Sequence, residues 1–142
     1  MTQRELEALS EEDCYKLAGE EHVGRLLYVD VDGPAAVPVN FVLAGRDVVF
    51  RSESGTKAHA LAQPVVGFEV DDIADDQHSG WSVLFRGPVA EVDIDDVPAL
   101  IKGMEGRFPT PWAVGVHNQW LSLRPKVVTG RQLGREGSIP VV

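Results

Sequence analysis

The sequence predicts a mainly β domain, an antiparallel barrel or sandwich carrying a few short helices. Two observations predict it. Short runs rich in β-branched and aromatic residues, among them RLLYVDV, AAVPVNFVL, DVVFRS and VVGFEVDD, follow one another through tight turns such as Asp32-Gly33. Few crossovers separate them, whereas a doubly wound parallel sheet needs a helix after almost every strand.

The first element reads as a helix. Ser10-Glu11-Glu12-Asp13 is a variant of the capping box, with Ser10 at the N-cap and Asp13 at the third helical position. Leu9 and Cys14 stand at staple positions on either side, and Cys14, Leu17 and Ala18 form one apolar stripe. The acidic first turn suits the helix dipole. Cys14 therefore reads as a small packed side chain rather than a nucleophile.

After Gly24 the texture changes to strands. RLLYVDV, the Asp32-Gly33 turn and AAVPVNFVL read as strand, hairpin and strand. Pro38 in the second of these belongs where its missing N–H is not required. Ala44-Gly45-Arg46 turns into DVVFRS, a third strand, and ESGTKAHALAQ reads as a helix that Pro64 must end. VVGFEVDD is a fourth strand. WSVLFRGPVAEVDI is a long fifth strand, with Gly87-Pro88 as a bulge or bend. Asp95 or Asp96 can cap a helix through Val97-Pro98-Ala99-Leu100-Ile101. Residues 105–118 look irregular, and QWLSLRP and KVVTGRQL close the chain as two final strands. That makes seven short strands and three short helices in one domain spanning residues 1–142, with 1–9 and 134–142 as flexible tails.

Composition narrows the function. Thirteen basic against 22 acidic residues leave a net charge of −9, which argues against wrapping nucleic acid or lying on an anionic membrane. No apolar run approaches the roughly 18–20 residues that span a bilayer. The acidic start, MTQRELEALSEED, has neither the basic end nor the apolar run of a signal peptide, so a cytoplasmic protein is expected. A single cysteine permits no intrachain disulfide and no cysteine metal cluster. His22, His59, His78 and His117 lie far apart without metal-ligand spacing, so no metal site is expected. Asp71-Asp72-Ile73-Ala74-Asp75-Asp76 lacks the glycine and closing glutamate of a calcium loop and reads as a solvated loop.

The segment with most chemistry is Arg51-Ser52-Glu53-Ser54-Gly55-Thr56-Lys57, which joins a strand to a helix. Gly55 permits a tight turn, and Ser54 or Thr56 can cap the helix. Free N–H groups at the helix start, two hydroxyls and two cations together make a phosphate cradle. The same residues also fit a plain capped turn with solvated basic side chains. With one glycine it is not a Walker loop. Trp81, at a strand start after Ser79-Gly80, suits either a flat cofactor or the core.

Taken in order, PVNFVL, VVFRSESGTKAHAL, VVGFEVDD and GWSVLFRGPVAEV resemble the pyridoxamine 5′-phosphate oxidase-like superfamily of flavin-binding split barrels. RPKVVTGRQL resembles the last strand of its small bacterial members, and the resemblance runs from about Ser10 to Leu133. It implies a six-stranded Greek-key split barrel and a homodimer, with two FMN sites at the subunit interface. Carried over residue by residue, it places the FMN phosphate on Arg51, Ser52, Thr56 and Lys57, and the ring edge along Pro38, Val39 and Asn40. Phe50 ends the strand leading to the phosphate turn, Trp81 and Ser82 approach the flavin, and Trp120 comes from the partner subunit.

No catalytic residue is assigned. The family's name-giving enzymes carry Arg-x-His near the C-terminus, where this chain has LRPKVVTGRQLG, and basic residues where it has PVNF; vitamin B6 phosphate is therefore not the expected substrate. The resemblance implies an oxidoreductase acting on an unknown small molecule. Two alternatives stand beside it. One is a deazaflavin (F420) reductase on the same barrel, with Arg25, Arg86 or Arg131 meeting the acidic tail. The other is a non-catalytic flavin-binding protein.

Overall fold

A computed structural model describes residues 6–52, 54–76, 78–96, 98–99, 102 and 120–134. In chain order they form β1 (Leu6–Ala8), α1 (Glu11–Ala18), β2 (Val23–Asp30), β3 (Gly33–Ala44), β4 (Asp47–Arg51) and α2 (Ser54–Ala62). There follow β5 (Val66–Ile73), β6 (Gly80–Gly87), β7 (Val89–Glu91), β8 (Trp120–Leu123) and β9 (Val127–Leu133).

The protein is mainly β and every pairing is antiparallel, in the order β1-β9-β6-β5-β2-β3-β4-β8-β7. β5 beside β2, β8 beside β4 and β9 beside β6 are the return connections of a Greek key. β3 joins the two halves of the split barrel: Gly33–Asn40 pairs with β2 alone, and Phe41–Ala44 pairs with β4.

Alternation along the strands sends one set of side chains inward. Phe41, Phe50, Phe68 and Phe85 are fully buried, with Leu26, Val48, Val70, Val83, Leu121 and Leu123 around them. Each such side chain contributes about 1.5–3 kcal/mol by leaving water. Phe68 lies at the centre, 5.1 Å from Phe41 and 5.4 Å from Phe50, ring centroid to centroid. Its ring crosses β2 at Gly24, where an added Cβ would stand 2.2 Å from Phe68 Cε1.

α1 forms as the capping box requires. The Ser10 hydroxyl accepts the Asp13 N–H at 3.1 Å, and Cys14 and Ala18 are buried. Burial and the neighbouring carboxylates of Asp13 and Glu11 push the Cys14 thiol up from its ordinary pKa. The Tyr15 hydroxyl donates to the Arg46 carbonyl at 2.9 Å, tying α1 to the β3–β4 turn.

Two features depart from the sequence reading. Leu6–Ala8, assigned above to the tail, pair with Arg131–Leu133 as an edge strand. The long fifth strand is two: β6 pairs with β5 and β9, and β7 crosses to β8 in the other half. The cause is steric, because a Cβ on Gly87 would stand 2.1 Å from the Arg124 carbonyl oxygen, so the chain turns where only glycine fits. These two features turn the expected seven strands into nine. Asp71 and Asp72 close β5, as VVGFEVDD predicts, and the strand runs one residue further to Ile73, so the loop reading of the acidic run holds only from Ala74. The helix expected from Asp95 or Asp96 to Ile101 opens with a 3-10 turn at Ile94–Asp96, and Pro98, Ala99 and Lys102 beyond it are helical. Residues 97, 100, 101 and 103–119, with Trp112 and His117, lie outside the described residues.

Candidate functional site

β4 ends at Arg51, the chain passes through Ser52, and α2 begins at Ser54. Ser52 is buried, and Thr56 and Lys57 are half-buried on the first turns of α2. That start differs from that of α1. α1 carries Glu11, Glu12 and Asp13 in its first turn; α2 carries no acid there and places Lys57 close behind. A helix N-terminus already bears about half a positive charge, so a lysine at that end is unfavourable unless an anion accompanies it. Here Lys57 Nζ pairs with the carboxylate of Glu91, on β7. A Cβ built on Gly55 would meet nothing within 4 Å, so the space beside this helix start is open. A buried hydroxyl, free helix N–H groups, an ammonium and open space fit a phosphate group.

The helix is held from its other end. Ala60 is buried, His59 stacks on Tyr28 at 5.6 Å, and Gln63 bonds the β2 backbone. Arg51 stands opposite Trp120 of β8, which is 5% exposed within its own chain. Phe50, the residue before, turns its ring fully into the core, so only its backbone faces the turn.

Pro38, Val39 and Asn40 stand opposite Arg25, Gly24 and Val23 on β2. Phe41 donates its N–H to the His22 carbonyl at 3.0 Å, on the β2 side. By alternation, positions 34, 36 and 38 turn their main-chain groups to the opposite edge, which no strand covers among the described residues, whereas Asn40, beside the Phe41–Phe50 pair, already meets the end of β4. Both prolines of β3, Pro34 and Pro38, thus sit where no N–H is required. The Asn40 side-chain amide donates to the His22 carbonyl at 3.3 Å.

Trp81 and Ser82 lie elsewhere. They stand on β6, opposite Asp72 and Asp71 of β5 and Gln132 and Arg131 of β9. Trp81 packs on the core. β5 and β2 separate both residues from Pro38–Asn40. Of the ten site residues named from the sequence, the fold gathers Arg51, Ser52, Thr56 and Lys57 at one turn. Pro38–Asn40 sit on β3, Phe50 is in the core, and Trp81 and Ser82 are on β6, with two strands between them and β3.

Two features escaped the sequence reading. One is Glu91, the counter-charge of Lys57. The other lies on the outer face of the large sheet, where Arg25 Nη1 contacts Glu69 Oε1 at 3.1 Å and Asp71 Oδ2 at 3.3 Å. Burial and the adjacent Asp71 push Glu69 up to about 7, against the pull of Arg25. The alternating pattern FEVDD already put Glu69 and Asp71 on one face; only the β2–β5 register could supply Arg25. Arg25, considered above for an acidic cofactor tail, is thus held by two carboxylates. Beside this cluster an apolar groove of about 490 Å³ is lined by Leu27, Val29, Pro34, Ala36, Val65 and Leu84. No helix among the described residues is long and apolar enough to cross a membrane, and among them no group of three His, Cys, Asp or Glu residues could hold a metal ion.

The family model described as pyridoxamine 5′-phosphate oxidase matches residues 10–132. An uncharacterized protein of Mycobacterium tuberculosis is 26% identical over 143 residues, covering 96% of this chain and 91% of its own. Among solved structures, the FAD binding protein from Mycobacterium smegmatis superposes with a TM-score of 0.66 at 27% identity, covering 90% of this chain and 98% of that one. A FAD-binding protein from Mesorhizobium loti gives a TM-score of 0.76 at 21% identity, over 94% of this chain and 100% of the other; at that identity it shows the fold alone.

Proposed function

The chain belongs to the pyridoxamine 5′-phosphate oxidase family, and from that premise we propose that it is an FMN-binding oxidoreductase of a small molecule. The observation that carries the reading is the start of α2, whose first turn carries no acid, with Lys57 and buried Ser52 beside open space. Arg51, Ser52, Thr56 and Lys57 would hold the phosphate. The uncovered edge of β3 that ends at Pro38 would meet the polar edge of the ring through main-chain groups, with Val39 and Asn40 beside it, and such groups read polar atoms without a charged side chain. When bound, the flavin supplies the electron transfer; the chain binds it, orients it and shields it from water.

A homodimer fits this reading. Two strands, β5 and β2, stand between Trp81 and Ser82 and the Pro38–Asn40 stretch, and in this reading the pair serves a site built with a second copy. The outer sheet face also exposes Val23, Val29, Val65 and Val127 by about half each. We place the protein in the cytoplasm. The FAD named for the 27%-identical relative favours a second reading, in which the same turn holds the flavin-side phosphate of a dinucleotide.

The test is a titration with FMN and riboflavin, followed by flavin fluorescence, for the natural chain and Lys57→Ala. A charge-assisted hydrogen bond is worth about 1.5–3 kcal/mol, so the variant should lose FMN affinity by at least tenfold and leave riboflavin unchanged. A loss below threefold for FMN rejects the phosphate assignment.

A further inference from the structure

We infer that Glu91 is a specificity-determining residue of the phosphate site, one that sets how much charge the site accepts. The inference rests on the reading above and concerns a side chain outside the turn itself. Glu91 reaches Lys57 by register: Phe50, Leu121 and Glu91 form one row across β4, β8 and β7. The first two point into the core and are fully buried, so the third, at the sheet's end, turns its carboxylate to the same side, where α2 lies. β7 exists as a separate strand because the chain breaks at Gly87-Pro88, so the geometry that divides the long strand also delivers this carboxylate.

The consequence is a competition. The Lys57 side chain is 26% exposed and that of Glu91 is 53% exposed. The ammonium is the more enclosed partner, so a phosphate must come to it, while the carboxylate can swing into water. A group bearing one negative charge can share Lys57 with Glu91. A terminal phosphate monoester bears close to two charges above pH 7, is repelled by the carboxylate, and must displace it. Glu91 therefore handicaps dianionic phosphates relative to singly charged diphosphate links, and leaves uncharged ribityl ligands unaffected.

The experiment measures dissociation constants of FMN, FAD and riboflavin at pH 8 for the natural chain, Glu91→Gln, Lys57→Ala and the double variant, with Glu91→Ala as a second probe. Glu91→Gln should tighten FMN about tenfold, FAD about threefold and riboflavin by less than twofold, following the charge beside Lys57. In the double variant the FMN gain should fall to about twofold, because the two side chains act on one another. Equal gains for all three ligands, or weaker FMN binding, overturn the inference. If Lys57→Ala weakens FMN while Glu91→Gln does not tighten it, Glu91 merely positions the lysine and the phosphate reading stands. If Lys57→Ala itself has no effect, the phosphate reading falls with it.

Discussion

Gln63 serves Val29 as a neighbouring strand would. Its Nε2 donates to the Val29 carbonyl at 2.7 Å and its Oε1 accepts the Val29 N–H at 3.1 Å. β5 pairs with β2 only from Arg25 to Leu27, so the next outward-facing main-chain groups of β2 lack a strand partner. One side chain from the end of α2 supplies both bonds, and in doing so fixes the helix whose other end carries Thr56 and Lys57.

Gln63→Ala should therefore loosen α2 rather than the barrel. Water can reach the freed groups, so the expected loss of stability is about 1 kcal/mol. Hydrogen exchange provides the specific readout: the Val29 amide should exchange at least tenfold faster, with the Phe68 amide unchanged. Equal acceleration at both positions would show that Gln63 supports the whole fold instead.

Gly24→Ala tests the core. Its new methyl would stand 2.2 Å from Phe68, between rings packed on Phe41 and Phe50, and cannot be absorbed by a simple rotamer change. Overpacking of this kind costs about 1–3 kcal/mol. A urea midpoint lowered accordingly would agree; an unchanged midpoint would mean that the Phe68 ring has freedom to tilt away.

Glu69 gives a pH signature. Its folded pKa of about 7 lies above the ordinary 4.5, so the folded chain holds this proton more tightly than the unfolded one. Stability from this group is full below about 4.5, falls as the pH rises to about 7, and is level above that. Glu69→Gln keeps a neutral side chain at every pH. Relative to the natural chain it should be more stable at pH 8 by about 1–2 kcal/mol, allowing for solvent screening, and no more stable at pH 4. Thermal melts at the two pH values check this, and a benefit equal at both would exclude titration as its cause.

Much of this protein follows from neighbours in sequence. Ser10 and Asp13 are three residues apart, so the cap of α1 could be read directly, as could the Asp32-Gly33 hairpin and the turn from Arg51 to Lys57. Such features depend on local dihedral preferences and short hydrogen bonds, which the chain carries wherever it folds. Tertiary structure decided the rest. Arg25 meets Glu69 across 44 residues, Glu91 meets Lys57 only after β7 leaves β6, and Gly24 shows its purpose only under Phe68. These contacts depend on strand register, and register is chosen by how whole faces pack against one another, since a slip of one residue would turn every inward side chain outward.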